Sequence, residues 1–435
     1  MILTIYMPYL CSERIIEKCY NYRKTNFMRQ KYRGFVIAVC LFFMIGLLSC
    51  NQKSISAISN NEVETIKVNL DSKGIEHPFN TPEHFRISLK DYIGNLELIP
   101  LETNSESIIS DVSKVLCYDN SYIISDRQSG KILQFDDKGR FMRSFGKKGR
   151  GPLEYIDNRD VEINHKTGEL GVLSITNPLT ILNYSISGDN AYSKVYENIK
   201  GYRFYHLSDS IVLVYYTGNY EQDFTLIVSD KLGQVKASYF PNPHSSQYSS
   251  IPDQTFHVYD DLVLFNRERS NVIYQIEENG HISERYHIDF GKYNMPDNIK
   301  ELFYTDFHEY RERAKNYVAG VDQFLESEDH IYFSFGFHQY SVSAFYSKDS
   351  QILKLGYSTR GWLDGMLISP TTIIGNEFIT ILDAYEVFEI ADYIEDKTSP
   401  AWIEFLEENP MFSKLYNNLK EDSNPVLVKF NLNHF

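Results

Sequence analysis

The sequence predicts an all-β fold, a six-bladed β-propeller with two helical insertions, and three observations carry that prediction. Short apolar runs of about five residues recur between Asp/Gly turns, the pattern of an antiparallel meander. These runs group in fours at a period of about 40 residues over about 340 residues, as in a stranded repeat array. Aromatics make up 14% of the chain, with 33 Tyr and 28 Phe against two Trp, a bias that suits side chains packed on a pleated surface. The competing arrangement is a two-sheet sandwich with helical insertions.

The N-terminus is different in kind. Arg29, Lys31 and Arg33 precede an apolar run, Phe35 to Leu48, that ends at Ser49-Cys50. As a helix this run rises about 21 Å, short of the ~30 Å hydrocarbon core. A basic segment, a short apolar segment and a small residue at the end describe a cleaved signal peptide, with an uncleaved anchor helix as the alternative. Met28 lies just before the basic residues, so 1–27 reads as an upstream extension and either Met1 or Met28 as the start. Residues 1–49 are therefore assigned to extension plus signal peptide. Residues 50–94 form a tether and lead-in, polar and Ser/Asn-rich over Asn51–Glu64, and 95–435 form the propeller.

Cleavage before Cys50 leaves Cys50 and Cys117 of the five cysteines. With Cys50 lipidated, no intramolecular disulfide is expected, and the fold stands on its core. The remaining chain carries 36 basic and 56 acidic residues, a net charge of −20. So acidic a body repels phosphate backbones, which excludes nucleic-acid binding.

The units follow in order. Val112–Tyr118, Tyr122–Ser125, Lys131–Phe135 and Phe141–Phe145 form the first. Gly168–Ser174, Leu179–Ser185 and Ala191–Tyr196 belong to the second, which starts at Tyr155. The third comprises Tyr202–Leu207, Ile211–Thr217, Phe224–Ser229 and Val235–Phe240. Thr255–Tyr259, Leu262–Asn266, Val272–Ile276 and Ile282–Phe290 make the fourth. A helical insertion, Asp297–Val318, has apolar residues at helical spacing and opens on Asp297 as its cap. Val321–Leu325, Ile331–Phe337, Val342–Tyr346 and Ile352–Tyr357 make the fifth unit. The sixth, from near Asp364, contains Thr372–Ile374, Phe378–Asp383 and Val426–Asn431. It is interrupted by a second helical stretch, Glu386–Leu419, broken at Pro400 and Pro410. This unit lacks one strand, and Asn95–Glu102 is a strand without a unit. An open ring exposes sheet edges, so Asn95–Glu102 is expected to complete the last blade as its outer strand.

Four segments carry a family resemblance: Ile99-Pro100-Leu101-Glu102-Thr103, the ISD–IxxFDxxGxF pattern from Ile124 to Phe141, FGKKGRGPLEY from Phe145 to Tyr155, and NPVLVKF from Asn424 to Phe430. Together they resemble the six-bladed, NHL-like β-propeller lipoproteins of Bacteroidetes. Leu47-Leu48-Ser49-Cys50 is likewise similar to the lipobox, in which the cysteine is acylated. The resemblance spans about Leu96 to the C-terminus and implies fold and a cell-envelope address, lipid-anchored to the outer membrane. That family usually has glycine where this chain has Leu153.

Two sets of residues could bind a ligand. Near the starts of the inner strands lie Asp111, Asp160, Asp253 and Asp322, with Arg203 in the third unit. Inner strands line a propeller's channel, so these residues could ring one mouth and suit a hard cation such as Ca²⁺, or a polyhydroxylated or cationic ligand. The plainer alternative is that Asp favours turns entering strands. The second set is the loop Gly146–Tyr155, where Lys148, Arg150 and Glu154 accompany two glycines. It could hold an anion, or serve only as a blade-to-blade crossover. The histidines show no HxxxH or HExxH spacing and there is no GxSxG, so no zinc site, cofactor or serine nucleophile is indicated. Asp126 is expected to bond the turn at Gln128–Gly130, and Cys117 to be a buried, inert thiol. The function read from this is a lipid-anchored envelope module that binds a glycan, peptide or protein partner. The alternative is an envelope hydrolase or lyase on a sugar, lactone or peptide derivative, with its site at the channel mouth.

Overall fold

Continuous apolar runs in the sequence correspond to middle strands covered on both faces. The computed structural model describes residues 63–70, 87–217, 222–242, 251–252, 254–338, 340–357, 369–392 and 396–435, all within the unit Ile55–Phe435. Cys50, the signal-peptide run, Asp253 and the region near Asp364 lie outside the described residues.

The strands form six antiparallel meanders, the blades of a propeller. Their inner strands are Lys114–Tyr118, Asp160–Asn164, Arg203–His206, Phe256–Tyr259, Gln323–Glu326 and Thr372–Ile374, for blades 1 to 6. The inner strands of blades 4, 5, 6, 1, 2 and 3 touch in that succession around the channel.

Side-chain alternation explains the core. In the second strand of blade 1, Ser121–Asp126, Ile123 packs toward blade 2 with Val161, Leu170 and Val172. Its neighbours Tyr122 and Ile124 pack toward blade 6 with Ile99, Ile379 and Leu427. One such apolar cluster fills each of the six blade interfaces. Each fully buried Ile, Leu or Phe contributes about 1.5–3 kcal/mol relative to exposure. Outer strands cover one face only, and Phe141–Ser144 accordingly alternates between half-buried and exposed.

The ring closes as the unpaired strand requires. Ile93–Pro100 lies antiparallel to Val426–Leu432, with Leu98 opposite Val428 and Pro100 opposite Val426, and is the outer strand of blade 6. Asn424 pins the closure. Its backbone N–H donates to Thr103 Oγ1 at 2.8 Å, and its Nδ2 donates to the carbonyls of Glu102 (2.7 Å) and Ser107 (2.8 Å). Two of the four family segments thus meet at one joint.

Blade 4 carries a strand the sequence did not announce. Glu64–Lys67 runs parallel to its outer strand, Ile282–Asp289, and buries Ile66, Val68 and Leu70 in the cluster between blades 4 and 5.

The helical insertions correct two local expectations. The first is not one helix but three short ones, Asp297–Lys300, Leu302–Thr305 and Phe307–Arg313, followed by a 3-10 turn. Asp297 makes no side-chain cap, because Pro296 holds the N-cap position and Asp297 is the first helical residue. Asp306 caps instead, accepting from Glu309 N–H at 3.0 Å. The second insertion has helices Ala384–Asp392, Pro400–Glu408 and Pro410–Asn418. Pro400 and Pro410 start helices rather than interrupt one, as their missing N–H permits. Trp402 and Phe412 bury against blades 5 and 6.

Strand direction places both insertions. In an antiparallel meander the second-to-third turn and the crossover to the next blade share the end where the inner strand begins. The first insertion is the crossover from blade 4 to blade 5, and the second lies between the second and third strands of blade 6. Both therefore rise on one face, that of the inner-strand starts. Among the described residues no helix is long and apolar enough to cross a membrane.

Candidate functional site

The channel mouth on this face is built from six equivalent positions. The residue entering each inner strand shares a backbone hydrogen bond with the second strand. Ser113 donates to Ser125, Arg159 to Leu173, Tyr202 to Tyr215, Asp322 to Ser334 and Thr371 to Ile379, while Thr255 accepts from Asn266. Against this frame the sequence-predicted ring is uneven. Asp322 occupies the entering position and is exposed, Asp160 and Arg203 sit one residue further in, and Asp111 lies two residues before Ser113. Asp253 is outside the described residues.

Asp160 is drawn inward and used between blades. One carboxylate oxygen accepts from Lys114 Nζ of blade 1 at 3.0 Å, and the other from Phe204 N–H of blade 3 at 3.0 Å. Both oxygens are thus engaged, and the residue joins three inner strands. Lys114 also pairs with Glu162, two residues along the same strand. Burial opposes the Lys114 ammonium, but two carboxylates outweigh it and hold its pKa above the usual value. For Glu162 burial is the largest effect; it outweighs Lys114, which is shared with Asp160, and the more distant charge of Arg203, and lifts the pKa well above the carboxylate range.

Above this triad, blades 1, 2 and 3 form a cleft of about 20 Å³, room for about one water-sized group. Arg127, Arg159 and Arg203 converge there with Asn158. Arg127 comes from the turn that Asp126 organises: Asp126 accepts from Ser129 N–H at 2.9 Å and from Ser129 Oγ at 2.6 Å, as expected of that aspartate. Asn158 donates to Ser125 Oγ (3.0 Å) and to the carbonyls of Asp126 (3.2 Å) and Lys131 (3.3 Å), tying the blade 2 entry to that turn. The Arg159 guanidinium lies 4.9 Å over the Tyr202 ring, which stacks on Tyr216 at 4.9 Å. Arg203 donates to the carbonyls of Tyr202 (3.1 Å) and Arg159 (3.4 Å).

Burial, together with the positive charges of Arg127 and Arg203, pushes the Arg159 pKa down. Arg159 Nε and Asn158 Oδ1 are buried without a hydrogen-bond partner. Sequence reasoning found Asp160 and Arg203 here but missed Arg127, Arg159, Lys114 and Asn158. The signal was the residue beside each aspartate, Arg127 after Asp126 and Arg159 before Asp160, visible only once the units are registered strand by strand.

The other predicted loop is the crossover from blade 1 to blade 2. Glu154 folds back on it, accepting from Gly151 N–H at 2.7 Å and pairing with Lys147 at 2.9 Å. A side chain at Gly149 would strike that carboxylate. Tyr155 is fully buried, its hydroxyl donating to the carbonyls of Gly130 (3.0 Å) and Phe145 (3.2 Å). Lys148 and Arg150 remain exposed. Cys117 is mostly covered in the inner strand of blade 1, and burial pushes its thiol up to about 12. At that value it is not a thiolate at neutral pH.

On the other flank of blade 1, Asp383 and Glu386 are half-buried at the start of the blade 6 insertion. Glu386 accepts from Asp383 N–H at 3.0 Å, a capping arrangement. Burial and the charge of Asp111 raise the Asp383 pKa. Among the described residues no group of three or more His, Cys, Asp or Glu side chains is placed to hold a metal ion.

Fold and mouth together define a six-bladed β-propeller whose inner-strand face carries a guanidinium-lined cleft. The chain belongs to the family described as "Domain of unknown function (DUF4934)", whose model matches residues 65–431. No curated protein matches it. Among solved structures it is similar to a "Putative exported protein" from Bacteroides fragilis NCTC 9343, at 16% identity and a TM-score of 0.68, covering 85% of this chain and 100% of that one. A member of the duf4221 family from Bacteroides vulgatus matches at 9% identity and a TM-score of 0.46, over 80% of this chain and 99% of that one. Virginiamycin B lyase from Staphylococcus aureus matches at 13% identity and a TM-score of 0.35, over 66% and 81%.

Proposed function

We propose that this chain is a lipid-anchored binding module of the bacterial cell envelope, attached through Cys50 to the outer membrane. Its recognition surface is the face on which the inner strands begin. The observation that carries the reading is the cleft between blades 1 and 3, where three guanidiniums meet in a protein of formal net charge −15 and, among the described residues, no carboxylate pairs with any of them. The two helical insertions rise from the same face and give it relief for a larger partner. The apolar run ending at Cys50 supports export and acylation, in keeping with the exported description of the B. fragilis structure.

An enzymatic reading would draw on Glu162, whose raised pKa suits a general acid. But Glu162 is buried within the Lys114 triad and directs its carboxylate at that ammonium, so binding is the better-supported reading. The test is made on full-length chain expressed in a Bacteroidetes host. Wild type is expected in the membrane fraction with labelled acyl chain attached, and Cys50→Ser in neither state. Soluble protein is then screened by thermal shift against glycans, peptides and divalent ions. Failure of every class to bind, or an unlabelled wild-type chain, would sink the corresponding half of the proposal.

A further inference from the structure

We propose that the cleft formed by Arg127, Arg159 and Arg203 is a site for one compact oxyanion, a carboxylate, sulfate or phosphate group. The inference rests on reading this face as the recognition surface and names the chemistry it recognises.

These three arginines contrast with others of the chain. Arg140 pairs with Asp136, Arg285 with Glu326 and Arg313 with Glu309. With 58 acidic residues in the chain, carboxylates are plentiful. Yet among the described residues Arg127, Arg159 and Arg203 have no carboxylate within 4.0 Å, and they stand close enough to depress the Arg159 pKa. Like charges brought together in a half-buried cleft destabilise the empty protein, an arrangement that a bound anion relieves.

The nearby anions do not serve that purpose. Asp160 is divided between Lys114 and the Phe204 N–H, and Glu162 is held by Lys114. Asp157, whose charge reaches Arg159, accepts from Ile175 N–H at 2.9 Å.

Two of the three guanidiniums are also held in place. Arg159 is fixed by stacking on Tyr202, and Arg203 by two carbonyls. Guanidiniums held in place lose little freedom on closing around a carboxylate or sulfate, whose geometry matches their paired N–H groups.

With room for about one water-sized group, the cleft admits an oxygen of the anion and leaves the rest of the ligand in the open mouth. The acidic body meanwhile repels a long polyanion.

The test is a thermal-shift and calorimetric titration of the soluble chain with sodium sulfate, inorganic phosphate and glucuronate. Potassium chloride at matched ionic strength and glucose serve as controls. At least one oxyanion is expected to bind saturably while glucose does not. Sulfate or phosphate binding alone would point to a free anion, and tighter glucuronate binding to an acidic sugar. Arg127 is exposed, so Arg127→Gln should fold, keep or raise the unliganded Tm, and weaken binding at least tenfold. Arg203→Gln should weaken binding to a similar extent. Oxyanions acting no differently from chloride, or binding unchanged in both variants, overturns the proposal. A neutral glycan binding at the mouth independently of these arginines also overturns it, but leaves the binding-module reading standing.

Discussion

Leu153 stands at φ +61°, in the left-handed region, which disfavours a non-glycine residue by about 1–2 kcal/mol. The loop keeps this conformation because the Leu153 carbonyl accepts from the Tyr184 hydroxyl at 2.8 Å, while Glu154 and Tyr155 fix the following residues. A glycine would take that φ freely, though it gains more entropy on unfolding. Leu153→Gly is therefore expected to stabilise by about 0.5–1 kcal/mol, read as a higher urea midpoint at unchanged slope. A lower midpoint would mean that the leucine packs more than its exposure suggests. His206 is a second residue with a defined effect. It is buried with Nε2 unpartnered, and burial, aided by Lys194, pushes its pKa down to about 4. An unfolded histidine titrates near 6.5. Below that pH the unfolded chain takes up a proton that the folded chain refuses until about pH 4. Stability from this site is thus complete above pH 6.5 and is lost as pH falls, on the order of 3 kcal/mol in all. His206→Gln should flatten the fall in urea midpoint between pH 7 and pH 5. An unchanged slope would show that His206 is charged in the fold.

Between elements, the inner strands of blades 1 to 3 are joined by charge as well as by the apolar packing of Val161, Ile163 and Phe204. Lys114 lies between Asp160 and Glu162, and Asp160 reaches on to blade 3. Removing one member of a buried ion cluster leaves the others uncompensated, so Lys114→Met should cost about 3–5 kcal/mol. Adding Glu162→Leu should recover part of that loss, since it removes one of the two stranded carboxylates. Additive penalties in a double-mutant cycle would show that the pair does not interact. What sequence reveals about elements follows the same division. Middle strands such as Ser121–Asp126 are legible because burial on both faces demands an unbroken apolar run. The closing strand was legible because one unit lacked a strand and Asn95–Glu102 had none to join. Glu64–Lys67 was not, since four residues, ETIK, carry too little pattern to reveal a parallel partner some two hundred positions away. The segmented insertion escaped because apolar spacing over 297–318 survives breaks at Glu301 and Asp306 that leave the same side chains facing the core. The cleft was half legible. Aspartates at strand entries drew the eye, whereas the arginines come from a turn, a crossover and a strand that only the closed ring brings together.

At the scale of the whole molecule, a propeller is stable only as a closed ring, because each blade's two faces are core for its neighbours. Closure differs from the other joints: blade 6 takes its outer strand, Ile93–Pro100, from the stretch that then runs on into blade 1, and its other three strands from the far end of the propeller. Its apolar contacts, Ile99 and Leu427 against Val115 and Ile124, resemble those elsewhere. What is particular to it is Asn424. Its side chain satisfies two carbonyls of the segment leading into blade 1 and accepts from the Ile109 N–H at 2.9 Å. Asn424→Ala removes a partner from three backbone groups; the Glu102 carbonyl still accepts from Ser107 Oγ, while the Ser107 carbonyl and the Ile109 N–H are left unpaired, at about 1–3 kcal/mol each if no water replaces the amide. The expected loss is roughly 2–4 kcal/mol once partial rehydration is allowed for. Because the joint holds the ring rather than one blade, the loss should appear as one cooperative transition at a lower urea midpoint, with far-UV circular dichroism and tryptophan fluorescence coinciding. If the two signals separated, blade 6 would be opening alone, and closure would be a local fastening rather than a condition of the whole fold.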